Sequence, residues 1–164
     1  MIYFNNKLPN IDPLNQVLSI GGRVYIGYHP LLKHINGLSS VTYIGGGIMI
    51  LANNALKNLD GLTGLSLTKS FVLLRSNKLL EHIDGLINVT NINGYLLIED
   101  NMTLSHLDGL TNLTDIRSDL TIISNDVLTS IAGLSALSFL DGSLEISENT
   151  LLCQNEIDQL VSGI

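Results

Sequence analysis

An all-β solenoid, a parallel β-helix of about six coils, is the fold class the sequence predicts, and three observations predict it. The pair Gly-Leu recurs at Gly37, Gly61, Gly85, Gly109 and Gly133, each step 24 residues. Within every period two apolar positions alternate with outward ones, as at Ile48 and Ile50 or Leu96 and Ile98, which is the pattern of a strand with one face buried. An asparagine closes each of these stretches, at Asn53, Asn77, Asn101, Asn125 and Asn149. No unit of such a stack can bury its apolar side alone, so neighbouring units must pack on one another.

The elements follow in order as a single domain spanning residues 1–164. Residues 1–10 form an N-terminal cap, in which Ile2, Tyr3 and Phe4 are expected to cover the first coil. The coils occupy residues 11–152. The first is irregular: Ile11, Leu14, Val17, Ile20, Val24, Ile26 and Leu32 fit the columns, but Pro13 replaces the glycine and His29 the asparagine. In later coils an aliphatic residue and usually an acid precede Gly-Leu, as in Leu59-Asp60 and Ile83-Asp84. These Asp-Gly pairs read as turns, with the carboxylate bonding nearby amides and glycine taking dihedrals awkward for other residues. Further inward columns run Val41, Leu65, Val89, Leu113, Leu137 and Ile44, Thr68, Ile92, Ile116, Leu140. Each apolar side chain contributes about 1.5–3 kcal/mol when fully buried. Equivalent strands stacked at about 4.8 Å give a rod core roughly 25–30 Å long.

The asparagine column is the one polar row expected to face inward. An unpaired buried amide costs several kcal/mol, so each must bond turn backbone or the next asparagine. Residues 153–164 form a capping helix, since Ile157, Leu160, Val161 and Ile164 fall at helical spacing, with Asn155 as N-cap and Asp158 at the third helical position.

The repeat L-x-x-[IL]-D-G-L-x-x-[LV]-x-x-I-x-G-x-L-x-I-x-x-N-x-x-L resembles the receptor L-domain type of leucine-rich repeat, over nearly the whole chain. That module forms the ligand-binding lobes of insulin and epidermal growth factor receptors and occurs in many bacterial surface proteins. The resemblance implies a right-handed β-helix with capped ends, a binding role and no catalysis. Receptor L domains carry disulfides at their caps; here Cys153 stands alone and cannot form an internal bridge. A bacterial relative is therefore the better match, and the resemblance favours a surface or secreted setting.

Composition narrows the function. The chain is 45% hydrophobic and 14% charged, with a formal charge of −7. An acidic chain is a poor partner for nucleic acid, whose phosphates need a basic surface. No run approaches the roughly 20 apolar residues of a membrane span, and Asn5-Asn6-Lys7 directly after Met1-Ile2-Tyr3-Phe4 is no secretory signal. Sequons at Asn88, Asn101 and Asn112 carry little weight in an asparagine-rich repeat.

The candidate site is the outward strand face. Its middle column reads Tyr25, Met49, Leu73, Leu97, Thr121, Glu145; the column two residues earlier holds Phe71 and Tyr95, and the column two residues later holds Leu51. Tyr25, Met49, Leu51, Phe71, Leu73, Tyr95 and Leu97 thus share one apolar surface in the first four coils, of the kind that marks an interface. Cover by another segment, or a strand phase shifted by one residue, would remove it; the interface is the reading taken. The partner is a protein or a second copy, so the chain is a monomer or a homodimer. A structural segment of an adhesin-type array and a carbohydrate-binding solenoid are the alternatives.

Other constellations point to no chemistry. His34, His82 and His106 share a column with Asn58 and Ser130. Two imidazoles on adjacent rungs could share a zinc, but a turn position tolerant of polar residues explains the column. Asp119, Asp126, Asp141, Glu145 and Glu148 gather acid in the last coils, as a solvated surface does. Cys153 has no histidine in its coil, and Gly45-Gly46-Gly47 opens no helix. No catalytic residue, metal site or cofactor is assigned, and an enzyme is not expected.

Overall fold

The computed structural model describes residues 1–164, the side chain of Leu67 excepted. The strands are β1 (Ile2–Tyr3), β2 (Ser19–Ile20), β3 (Val24–Gly27), β4 (Tyr43–Ile44), β5 (Ile48–Leu51), β6 (Leu67–Thr68), β7 (Val72–Arg75), β8 (Asn91–Ile92), β9 (Leu96–Glu99), β10 (Asp115–Ile116), β11 (Leu120–Ile123), β12 (Phe139–Leu140) and β13 (Leu144–Ser147), followed by helix α1 (Gln154–Gly163). The odd-numbered strands form a seven-stranded parallel sheet and the even-numbered ones a six-stranded parallel sheet. Register follows the sequence period, with Val24 beside Ile48, Ile48 beside Val72, Val72 beside Leu96, Leu96 beside Leu120 and Leu120 beside Leu144. The arrangement is mostly parallel β and solenoid-like, closed at one end by a short helix.

Each Gly-Leu pair lies in a single 3-10 turn, Asp60–Leu62, Asp84–Leu86 and Asp108–Leu110 among them. Here the expectation about glycine fails, because no glycine among the described residues has a positive φ. Spacing is the reason instead. A Cβ on Gly61 would run into the Ile35 carbonyl, and one on Gly85 into that of Leu59. Pro13 is tolerated in the first coil because no turn lies beneath it, and its fixed φ suits the start of the 3-10 turn Asp12–Leu14. The acids also differ from expectation. The Asp84 and Asp108 carboxylates lie beside His82 and His106, not on backbone amides.

The six-stranded sheet was not anticipated from the pattern, because its strands of two residues are too short to show alternation. Its inward residues are Ile44, Thr68, Ile92 and Ile116, all fully buried, and Thr68 Oγ1 donates to the Gly46 carbonyl at 3.0 Å. Core positions repeat from rung to rung: Ile35, Leu59, Ile83 and Leu107 are fully buried, as are Ile50, Leu74, Ile98 and Ile122.

The asparagine row is buried as expected. Asn53 N–H donates to Asn77 Oδ1 (3.0 Å), Asn77 N–H to Asn101 Oδ1 (3.2 Å) and Asn101 N–H to Asn125 Oδ1 (3.1 Å). Each Nδ2 reaches down to a strand carbonyl, Asn77 to Ile50 (2.9 Å) and Asn101 to Leu74 (3.0 Å). His29 extends the row: its Nδ1 accepts from Asn5 N–H at 3.2 Å, while its buried Nε2 has no partner.

The two ends follow expectation only in part. Ile2 and Tyr3 lie on the first coil as an added strand, with Ile2 beside Ile26 and Tyr3 beside Gly27, and Ile2 packs against the core. At the other end α1 starts at Gln154, so Cys153 and not Asn155 is the N-cap. Only Leu160 of the helix is buried, Ile157 is half-buried, and Val161 and Ile164 face outward. The helix docks through Glu156, whose Oε2 accepts from Ser130 Oγ (3.1 Å) and from Ile131 N–H (3.0 Å). A carboxylate thus supplies the acceptors that a further coil would have offered.

Candidate functional site

The outward face of the seven-stranded sheet takes its shape from period-two alternation. Val24, Ile26, Ile48, Ile50, Val72, Leu74, Leu96 and Ile98 point into the core. The intervening residues therefore point out, and the strand phase is the one read from the pattern. Tyr25 lies beside Met49, Met49 beside Leu73, Leu73 beside Leu97, Leu97 beside Thr121, and Thr121 beside Glu145. Leu51 lies beside Arg75 and Arg75 beside Glu99. Tyr25, Met49, Leu51, Phe71, Leu73, Tyr95 and Leu97 are all half-buried, each partly sheltered by its neighbours and partly open to solvent.

The aromatic residues on this face are tied together. Phe71 and Tyr95 stack with ring centres 4.9 Å apart and planes 4° from parallel. Arg23 sits over the other face of Phe71, 5.2 Å from its centre. Gly47 makes this possible, since a Cβ there would occupy the space of the Phe71 ring. With both faces of Phe71 in use, no open ring remains there for a sugar to stack on. Tyr3 stacks on Tyr25 at 5.7 Å and Phe4 on Tyr28 at 4.4 Å. Burial holds the Tyr25 phenol above its ordinary pKa, with Tyr28 and Tyr3 adding to the rise, so Tyr25 is a neutral donor at physiological pH. Tyr3 and Phe4 were missed as members of this surface. The signal was present: Ile2, Asn5 and Leu8 stand 24 residues before Ile26, His29 and Leu32.

Charge is distributed unevenly along the rod. Residues 1–80 carry seven of the eight Lys and Arg and two of the fifteen acids, Asp12 and Asp60. Residues 81–164 carry the other thirteen acids, and their one basic residue, Arg117, is held by Asp115 at 2.9 Å. On the sheet face the same gradient runs from Arg23 at one end to Asp119 and Glu145 at the other, both exposed. Between them Arg75 and Glu99 pair at 3.1 Å. Charge, like apolarity, therefore has a direction along the stack.

The histidine column is set at the turns. His82 Nδ1 lies 3.1 Å from Asp84 Oδ2 and His106 Nδ1 3.2 Å from Asp108 Oδ2, without hydrogen-bond geometry. Among the described residues no group of three or more His, Cys, Asp or Glu comes together to hold a metal ion, and no helix is long and apolar enough to cross a membrane.

The receptor L domain family model matches residues 73–162, more than half of the chain. The chain belongs to the receptor L domain family. Its members are ligand-binding, non-enzymatic domains, and the matched span runs from Leu73, within β7, through β13 and into α1. No curated protein and no solved structure matches the chain.

Proposed function

We propose that this receptor L domain is a non-catalytic protein-binding module and that its binding surface is the outward face of the seven-stranded sheet, centred on Met49, Leu51, Phe71, Leu73, Tyr95 and Leu97. The observation that carries this reading is the register of four half-exposed apolar side chains, Tyr25, Met49, Leu73 and Leu97, on adjacent rungs. Large contiguous apolar surface on a folded domain is retained where it is covered by a partner. The family's ligand-binding role supports the same reading. The finer architecture belongs with it: a right-handed leucine-rich solenoid of about six coils, of the bacterial type and suited to a surface or secreted setting.

Leu73→Lys and Leu97→Lys test the surface. Both side chains are half-exposed, so each variant is expected to fold, with a stability from urea melts within about 0.5 kcal/mol of the parent. Each is expected to lose association with a captured partner, because a lysine at the centre of an apolar contact must be desolvated without a counter-ion. Equal capture by parent and variants in affinity purification would show that the surface lies elsewhere.

A further inference from the structure

We infer that the occupant of this face is a second copy of the chain, docked sheet to sheet with the two rods antiparallel. The inference rests on the outward sheet face being the binding surface and adds which partner covers it. Two symmetric ways exist to lay one such sheet on another. A two-fold axis along the rod sets equal rungs against each other, so Asp119 and Glu145 would approach the acidic rungs of the second copy. A two-fold axis along the strands, between β7 and β9, reverses the rung order and keeps the columns aligned. It sets β3 against β13, with β1 beyond the edge of the contact, and the gradient from basic to acidic becomes self-complementary. Like charges across an interface oppose association, whereas opposite ones steer and orient it, so the charge pattern selects the second arrangement.

The columns agree with that choice. With the strands as the two-fold direction, Leu73 faces Leu97 of the second copy and Phe71 faces its Tyr95. Arg75 faces its Glu99, so the pair already formed within one copy at 3.1 Å becomes part of a four-charge cluster. Arg23, exposed beside β3, comes against Ser143 of the second copy, one column from its Glu145 and one rung from its Asp119. The only Lys or Arg in the acidic half, Arg117, is engaged with Asp115, so an arginine brought by a second copy meets acids that have no cation of their own half beside them. The isologous contact closes on itself and yields a dimer, not a fibre.

Strand number and length put the face at roughly 30 Å by 13 Å. That is small beside the ~1,200–2,000 Å² of a standard stable interface, so the dimer is weak, with a Kd on the order of 100 μM. Sedimentation equilibrium of the full chain up to about 1 mM, at low and high salt, measures it. The expected result is a monomer–dimer equilibrium that weakens with salt. Arg23→Glu and Glu145→Arg each weaken it at least about tenfold, because each puts like charges at both ends of the contact. Mixing the two variants restores a heterodimer of wild-type affinity. The carboxylate introduced in one variant then meets the guanidinium introduced in the other, and the native pair forms at the opposite end. A monomer at every concentration, or a mixture that fails to recover, overturns the inference. If the chain is a monomer while Leu73→Lys still abolishes capture of another protein, the face stands and the second copy falls. A dimer indifferent to Leu73→Lys removes both.

Discussion

Gly85→Ala is expected to lower the unfolding free energy by about 3 kcal/mol, and Gly22→Ala to leave it unchanged. Neither glycine has a positive φ, so dihedral strain plays no part. The difference lies in what a methyl group would meet. At Gly22 nothing stands within 4 Å of the added carbon. At Gly85 the added carbon collides with the carbonyl of Leu59 and reaches 3.0 Å from Asp60 N. The Leu59 carbonyl cannot swing away, because it accepts the Leu62 N–H at 2.8 Å to close its own 3-10 turn. Relief would need the rungs to part locally, against hydrogen bonds in both sheets. The same contact recurs at Gly37, Gly61, Gly109 and Gly133, so the glycine column fixes the rise of the stack. Urea melts of the two variants decide the matter; equal midpoints would show that the rungs can part freely.

How much of this was legible in the sequence depended on whether a residue acts through its period or through its neighbours in space. Ile50, Leu74 and Ile98 declare themselves inward by alternation, and the register of β5, β7 and β9 follows from counting. Burial of Asn77 and Asn101 was also legible, because an asparagine at a fixed place after an apolar pair has only the turn backbone to bond. The glycine column was seen but its cause was misread. Spacing in sequence shows that a side chain is missing; it does not show that a carbonyl of the previous rung lies in the vacated volume. The acids beside those glycines were misread in the same way, since the nearest partner of Asp84 is His82 and not an amide.

The candidate site was legible as a list of residues and not as a surface. Tyr25, Met49, Leu73 and Leu97 were placed on one face by alternation alone. The Arg23–Phe71–Tyr95 stack was not, because it depends on Arg23 reaching across Gly47 to a ring two rungs away. Helix α1 shows a related limit. Apolar spacing gave a helix with four inward residues, but only Leu160 is buried. The contact that fixes the helix is polar, through Glu156 to Ser130 and Ile131, and a hydrophobic pattern carries no information about it.

Asn101→Leu is expected to destabilise the chain by about 3 kcal/mol, although leucine is the more apolar residue and the site is fully buried. The asparagine side chain serves three backbone groups at once. Its Oδ1 accepts from Asn77 N–H at 3.2 Å, and its Nδ2 donates to the carbonyls of Leu74 at 3.0 Å and Glu99 at 3.1 Å. Leucine leaves the buried Asn77 N–H without an acceptor and takes one donor from the Leu74 carbonyl, while the Glu99 carbonyl keeps the Ser76 N–H at 3.0 Å; a buried orphan costs about 1–3 kcal/mol, and the gain from burying the leucine methyl groups offsets only part of this. A second loss is conformational. The residue before each asparagine is left-handed and not glycine, with φ 55° at both Ser76 and Asp100, a backbone state that costs roughly 1–2 kcal/mol for an L residue. The asparagine bonds on either side hold that state, so removing one frees the backbone to leave it. Asn149→Leu makes the contrast, because Asn149 is only half-buried. Water can reach the groups it leaves behind, and the expected loss is smaller. Urea melts give the two magnitudes, and amide exchange gives the cause: the Asn77 N–H should lose protection in Asn101→Leu while amides two rungs away keep theirs. Unchanged protection at Asn77 would mean that the ladder is not what holds that amide.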